Sequence, residues 1–85
     1  MRYYIAVFKS RSQVMNFANL LRANNIPCAI VNTPSNLGKT CGLSVKFLED
    51  YFARVQNILR RNNFRSFEGF YEITNNYYGN NVKKI

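Results

Sequence analysis

Eighty-five residues suffice for one domain and not for two. Apolar residues make up 47% of the chain, with 7 Phe and 6 Tyr, which excludes a disordered polymer, and the longest apolar run, Tyr3 to Phe8, is far too short for a membrane span. Lys and Arg total 12 against 4 acidic residues, for a net charge of +8, and the absence of His removes the commonest general base and metal ligand.

Arg2 to Phe8 is rich in β-branched and aromatic residues and reads as a first strand. Lys9 and Arg11 follow at once, so the N-terminus lacks the pattern of a secretory signal, and a cytoplasmic setting is expected. Ser10 or Ser12 offers a capping hydroxyl for a helix. Val14, Phe17, Ala18 and Leu21 then recur at i, i+3, i+4, i+7, the stripe of one amphipathic face. Asn24-Asn25 can adopt the left-handed backbone that ends such a helix. Ile26 to Val31 reads as a second strand, entered through Pro27.

Thr33 to Thr40 is dense in turn residues. Its Gly38-Lys39-Thr40 lacks the upstream glycine of a phosphate loop and reads as a turn. Leu43, Val45 and Phe47 alternate with Gly42, Ser44 and Lys46, so Cys41 to Phe47 is expected as a third strand. Leu48, Phe52, Val55 and Leu59 make a second helical stripe, with Glu49-Asp50 in its first turn and Arg60-Arg61 in its last, both suited to the helix dipole. Phe67 to Ile73 reads as a fourth strand. Residues 1–74 are thus expected to form a single domain, and 75–85, rich in Asn, Gly and Lys, a loosely ordered tail.

The order β-α-β-β-α-β favours a ferredoxin-like α+β sandwich, with two helices on one face of a four-stranded antiparallel sheet. In that topology the first and third strands are neighbours. The start of the third strand, and Cys41 with it, then lies beside Ser10, Arg11 and Ser12 at a helix N-terminus.

A thiol attacks only as its thiolate, and an ordinary cysteine, with a pKa of about 8.5, is mostly protonated at neutral pH. Lys39, Arg11 and the helix N-terminus would favour the charged form of Cys41. Thr40 and Gly42 flank it, Gly42 leaving room for another molecule to approach. Without His, a Cys-His acyl-transfer pair is excluded, and what remains is chemistry a lone thiolate can do: carry sulfur or selenium, form a mixed disulfide, or sense an oxidant. The bland reading is that Cys41 tops the core as a small hydrophobe. Cys28 sits in a buried-looking strand. In a hairpin it would lie about four residues from Cys41, roughly 13 Å at strand rise, beyond the about 7 Å between Cα atoms that a disulfide tolerates. Neither cysteine belongs to a zinc pattern, and no metal or cofactor is expected.

Phe8, Ser10 and Ser12, then Asn25-Ile26-Pro27, Thr33-Pro34, Cys41-Gly42-Leu43 and Phe67-Glu68-Gly69-Phe70-Tyr71 occur in an order and spacing that resembles the selenium/sulfur carrier-like family. The resemblance spans residues 2–73. It implies that Cys41 holds sulfur or selenium for a partner enzyme, with sulfur- or selenium-donating and accepting proteins as partners. Lys46 fits where family members often carry Arg, whereas Cys28 and the tail are particular to this chain.

The competing classes are a binding or regulatory module with a structural Cys41, and a homodimer that covers the open sheet face with aromatic residues. Tyr4, Phe8 and Phe70 could stack on single-stranded RNA if they face that side. The Gly-Phe-rich signature of that module is missing, and the cations are scattered along the chain, so nucleic acid is not expected as a partner.

Overall fold

The computed structural model describes residues 2–37, 40–76 and 79–85, without the side chains of Asn36, Asn75, Asn76, Asn80 and Asn81. Stiff β-branched and aromatic side chains hold Tyr3–Phe8 extended as β1. Ser10 turns the chain into α1, Arg11–Ala23, its hydroxyl accepting from the Gln13 amide at 3.4 Å. Val14, Phe17, Ala18 and Leu21 are the buried face, as the spacing predicts. The helix ends where Asn25 takes φ 60. There the amides of Asn25 and Ile26 donate to the carbonyls of Arg22 and Leu21, the paired bonds of a Schellman cap.

β2, Ala29–Asn32, leads through a 3₁₀ turn at Ser35–Leu37 to β3, Leu43–Leu48. A second 3₁₀ turn, Glu49–Tyr51, precedes α2, Phe52–Arg61, so Leu48 belongs to the strand and the two acidic residues lie just outside the helix. β4 runs Phe67–Asn76 and β5 Gly79–Lys84.

The sheet is antiparallel in the order β2-β3-β1-β4-β5. β1 and β3 are neighbours, as expected, and the architecture is α+β with two helices. The strand count differs: there are five, not four. β5 falls within the segment read as a tail, pairing Tyr71 with Lys84 and Ile73 with Val82. Backbone hydrogen bonding along the free edge of β4 builds this strand from residues with little strand propensity.

Both helices pack on one face, where Ala6, Phe8, Val45, Phe47 and Phe70 meet Val14, Phe17, Leu21, Val55 and Ile58. Phe8 is at the centre of an aromatic group, with ring centroids 5.4 Å from Phe17, 5.8 Å from Phe64 and 5.4 Å from Phe67. Tyr4 packs edge-on against Phe47 and Phe52. Tyr4, Phe8 and Phe70 therefore face the helices, so the condition for their stacking on RNA from the open face is not met.

That other face is covered too. Ile5 and Val7 are fully buried there, outside the helix-side core. Their cross-strand neighbours include Ser44, Lys46, Gly69 and Tyr71. The Lys46 ammonium lies over the Tyr3 ring, 4.1 Å from its centroid, a cation–π contact on this face.

Candidate functional site

Cys41 sits just before β3 rather than in it. Its amide donates to the Phe8 carbonyl at 3.3 Å, which ties it to the end of β1, two residues from the Ser10 cap of α1. The placement expected from topology, beside the start of the first helix, is observed. The sulfur is half-buried against the core and donates to the Leu43 carbonyl at 3.4 Å.

The turn around it is braced on both sides. The Gly42 amide donates to the Thr40 hydroxyl at 3.0 Å. The Thr33 amide donates to the Gly42 carbonyl at 2.9 Å, and the Thr33 and Ser44 hydroxyls share a hydrogen bond of 2.5 Å. Gly42 has φ +86, and a Cβ built on it would meet no atom of the described residues within 4 Å, its chain neighbours aside. Its glycine is demanded by backbone conformation.

The predicted companions contribute unequally. Ser10 and Ser12 share a hydroxyl contact of 2.9 Å, and Ser10 also caps the helix, so their polar atoms serve the turn rather than the sulfur. Arg11 is exposed at the same helix end. Lys39 lies outside the described residues.

Two residues overlooked in the sequence hold this corner together. Gln13 Oε1 accepts from the Ser66 amide at 2.9 Å and from the Ser66 hydroxyl at 2.7 Å. Ser66 Oγ accepts from the Ser10 amide at 3.2 Å, and the Ser66 carbonyl accepts from the Lys9 amide at 2.9 Å. The partners are more than fifty residues apart, and no local pattern announces them.

On the face away from the helices, Thr40 lines a polar cleft of about 280 Å³ with Val7, Lys9, Leu37, Glu68, Tyr71 and Lys84. Lys9 and Glu68 are ion-paired at 3.0 Å across its rim. Gly69 underlies Lys84 at φ +142, and a Cβ there would come within 3.2 Å of the lysine Cε.

Cys28 belongs to the opposite end of the sheet. It donates to the Ala18 carbonyl at 3.6 Å, and burial raises its pKa above the ordinary thiol value, against a lowering pull from Arg22. It borders a cleft of about 230 Å³ with Tyr3, Pro27, Ala29, Lys46, Phe47 and Leu48. Both thiols are free. Ala29 pairs with Lys46, so Cys28 is level with Phe47. That is six residues from Cys41, about 20 Å at strand rise, rather than the four expected. Among the described residues no group of His, Cys, Asp and Glu is placed to hold a metal ion. No helix among them is long and apolar enough to cross a membrane.

Fold and site together describe a small α+β domain that displays one thiol in a braced turn at the edge of its core. The chain belongs to the family described as "Putative Se/S carrier protein-like", which it matches over residues 3–72. That membership supports a carrier-type role at the level of the family, exercised with other proteins. No curated protein and no solved structure matches the chain.

Proposed function

We propose that this domain, a ferredoxin-like βαββαβ unit with an added edge strand, carries sulfur or selenium on the Cys41 sulfur and delivers it to a partner enzyme. The observation that carries the reading is the left-handed Gly42 immediately after a half-buried cysteine, within the segment that matches the family. A carrier thiol must be held in place yet reachable. In the transfer, the Cys41 thiolate attacks the terminal sulfur of a donor persulfide. The new Cys41 sulfur–sulfur bond forms as the donor's breaks, and the donor leaves as a thiolate, with no net oxidation. Such a role suits the reducing cytoplasm, where thiols persist.

The test is sulfur loading, with inorganic polysulfide as the donor and peptide mass spectrometry as the readout. Cys41 should gain sulfur far faster than Cys28, and Cys41→Ala should abolish loading while Cys28→Ala leaves it intact. A Cys41 that loads only after unfolding would sink the reading. Its hydrogen bond to Leu43 and its contact with the core would then mark a structural cysteine in a binding module.

A further inference from the structure

Cations that look scattered along the chain gather at one end of the folded domain. Lys9 is bonded to Ser66, so Arg65 lies beside the start of α1, where Arg11 stands. α2 ends at the same pole with Arg60 and Arg61, since Phe64 just beyond packs on Phe8 and Phe17. Cys41 is bonded to Phe8 at that pole. All five cationic side chains are exposed. Glu68 is the acidic residue there, and it is taken by Lys9. Arg11, Arg60, Arg61 and Arg65 pair with no carboxylate among the described residues.

The far end differs. Glu49, Asp50 and Glu72 accumulate there with Arg2, Arg22 and Arg54; Glu49 is bonded to the backbone of Arg2, and Arg54 to that of Asn24. Both α1 and α2 lack acidic residues altogether, so the asymmetry comes from where the acids are placed.

We infer that the Cys41 end is an electropositive docking surface for an acidic face of a partner protein. The inference rests on the carrier reading and supplies the chemistry of the partner. Arginine in four of the five positions favours carboxylate partners, because its planar fork binds them in bidentate fashion. A field of one sign around the reacting thiol speeds encounter with an oppositely charged surface. Among the described residues the exposed large hydrophobic side chains are Met15 and Ile85, neither of them a ring on which bases could stack, so single-stranded RNA is the weaker fit.

The experiment uses the full chain with Cys28→Ala and three peptides, each with one cysteine activated as a 2-thiopyridyl disulfide. The flanking residues are Glu, Gln or Lys. Cys41 attacks the peptide sulfur, a Cys41–peptide disulfide forms, the bond to the thiopyridyl group breaks, and pyridine-2-thione leaves. At low salt the Glu peptide should react on the order of tenfold faster than the Gln peptide, and the Lys peptide slower still. The bias should vanish near 1 M salt, where the screening length is about 3 Å. Combined Arg60→Glu, Arg61→Glu and Arg65→Glu should reverse it, and Arg22→Glu at the far end should preserve it. Should the triple variant fail to fold, the salt series on the native surface decides. Equal rates for all three peptides overturn the docking surface and leave the carrier reading standing. If the folded protein reacts with none of them, the carrier reading falls and this inference with it. A short duplex RNA that binds at physiological salt and blocks all three peptides equally would assign the pole to nucleic acid instead.

Discussion

The two cysteines occupy opposite ends of one sheet, and the contrast between them shows how placement decides what a thiol can do. Cys41 is tied to the end of β1 beside the N-terminus of α1, in a turn whose next residue is the left-handed Gly42. Cys28 lies against the middle of the same helix, donating to the Ala18 carbonyl, and burial disfavours its thiolate.

The largest perturbation erases the contrast. Phe8 is fully buried, and its ring touches three other aromatics while its carbonyl anchors Cys41. Phe8→Ala should cost about 3–5 kcal/mol, a large share of what a domain this small possesses. The urea midpoint should fall steeply, and both cysteines should alkylate at similar rates. A variant that loses less than about 1 kcal/mol and keeps Cys41 distinct would show that the aromatic group does not hold the site.

A milder change sharpens the contrast. The added methyl of Gly42→Ala meets no atom of the described residues beyond its chain neighbours, so its cost comes from the positive φ, about 1–2 kcal/mol. The turn should loosen, and Cys41 should alkylate faster while Cys28 keeps its rate. Equal acceleration at both thiols would mean global destabilisation, and the turn would not be a local device.

Much of this was legible before any coordinates. The α1 stripe, its serine cap, its Asn25 terminus and the neighbouring of β1 with β3 follow from spacing, capping chemistry and chain order. Cys41 reaches the helix start by the same topological argument. Other features were hidden for identifiable reasons. Tyr3 to Phe8 is apolar on both faces, so periodicity could not say which face the helices cover, and the side taken by Tyr4, Phe8 and Phe70 stayed open. In α2, Ile58 is buried deeper than Leu59, because a 3₁₀ turn after Leu48 shifts the phase of the stripe. β5 has the composition of a tail, and its order comes from pairing along an edge. Ser66 and Gln13 meet only through the fold, as do the arginines of the Cys41 end.

The smallest effect tests the other half of the comparison. The pKa of Cys28 is raised in the folded state, first by burial, with Arg22 pulling it down. A raised pKa means that the folded chain prefers the neutral thiol. The stabilisation this gives is therefore complete below the unfolded value of about 8.5 and is lost as pH climbs through the folded value. Alkylation of Cys28 should lag behind that of the same residue in the denatured chain and should catch up only at alkaline pH. Arg22→Gln removes the lowering influence and should move the curve further up, by a modest amount because the arginine is exposed to water. An unchanged curve would mean that the Arg22 charge does not reach the sulfur. Burial by Ala18 and its neighbours would then set the pKa of Cys28 with no opposing pull from charge.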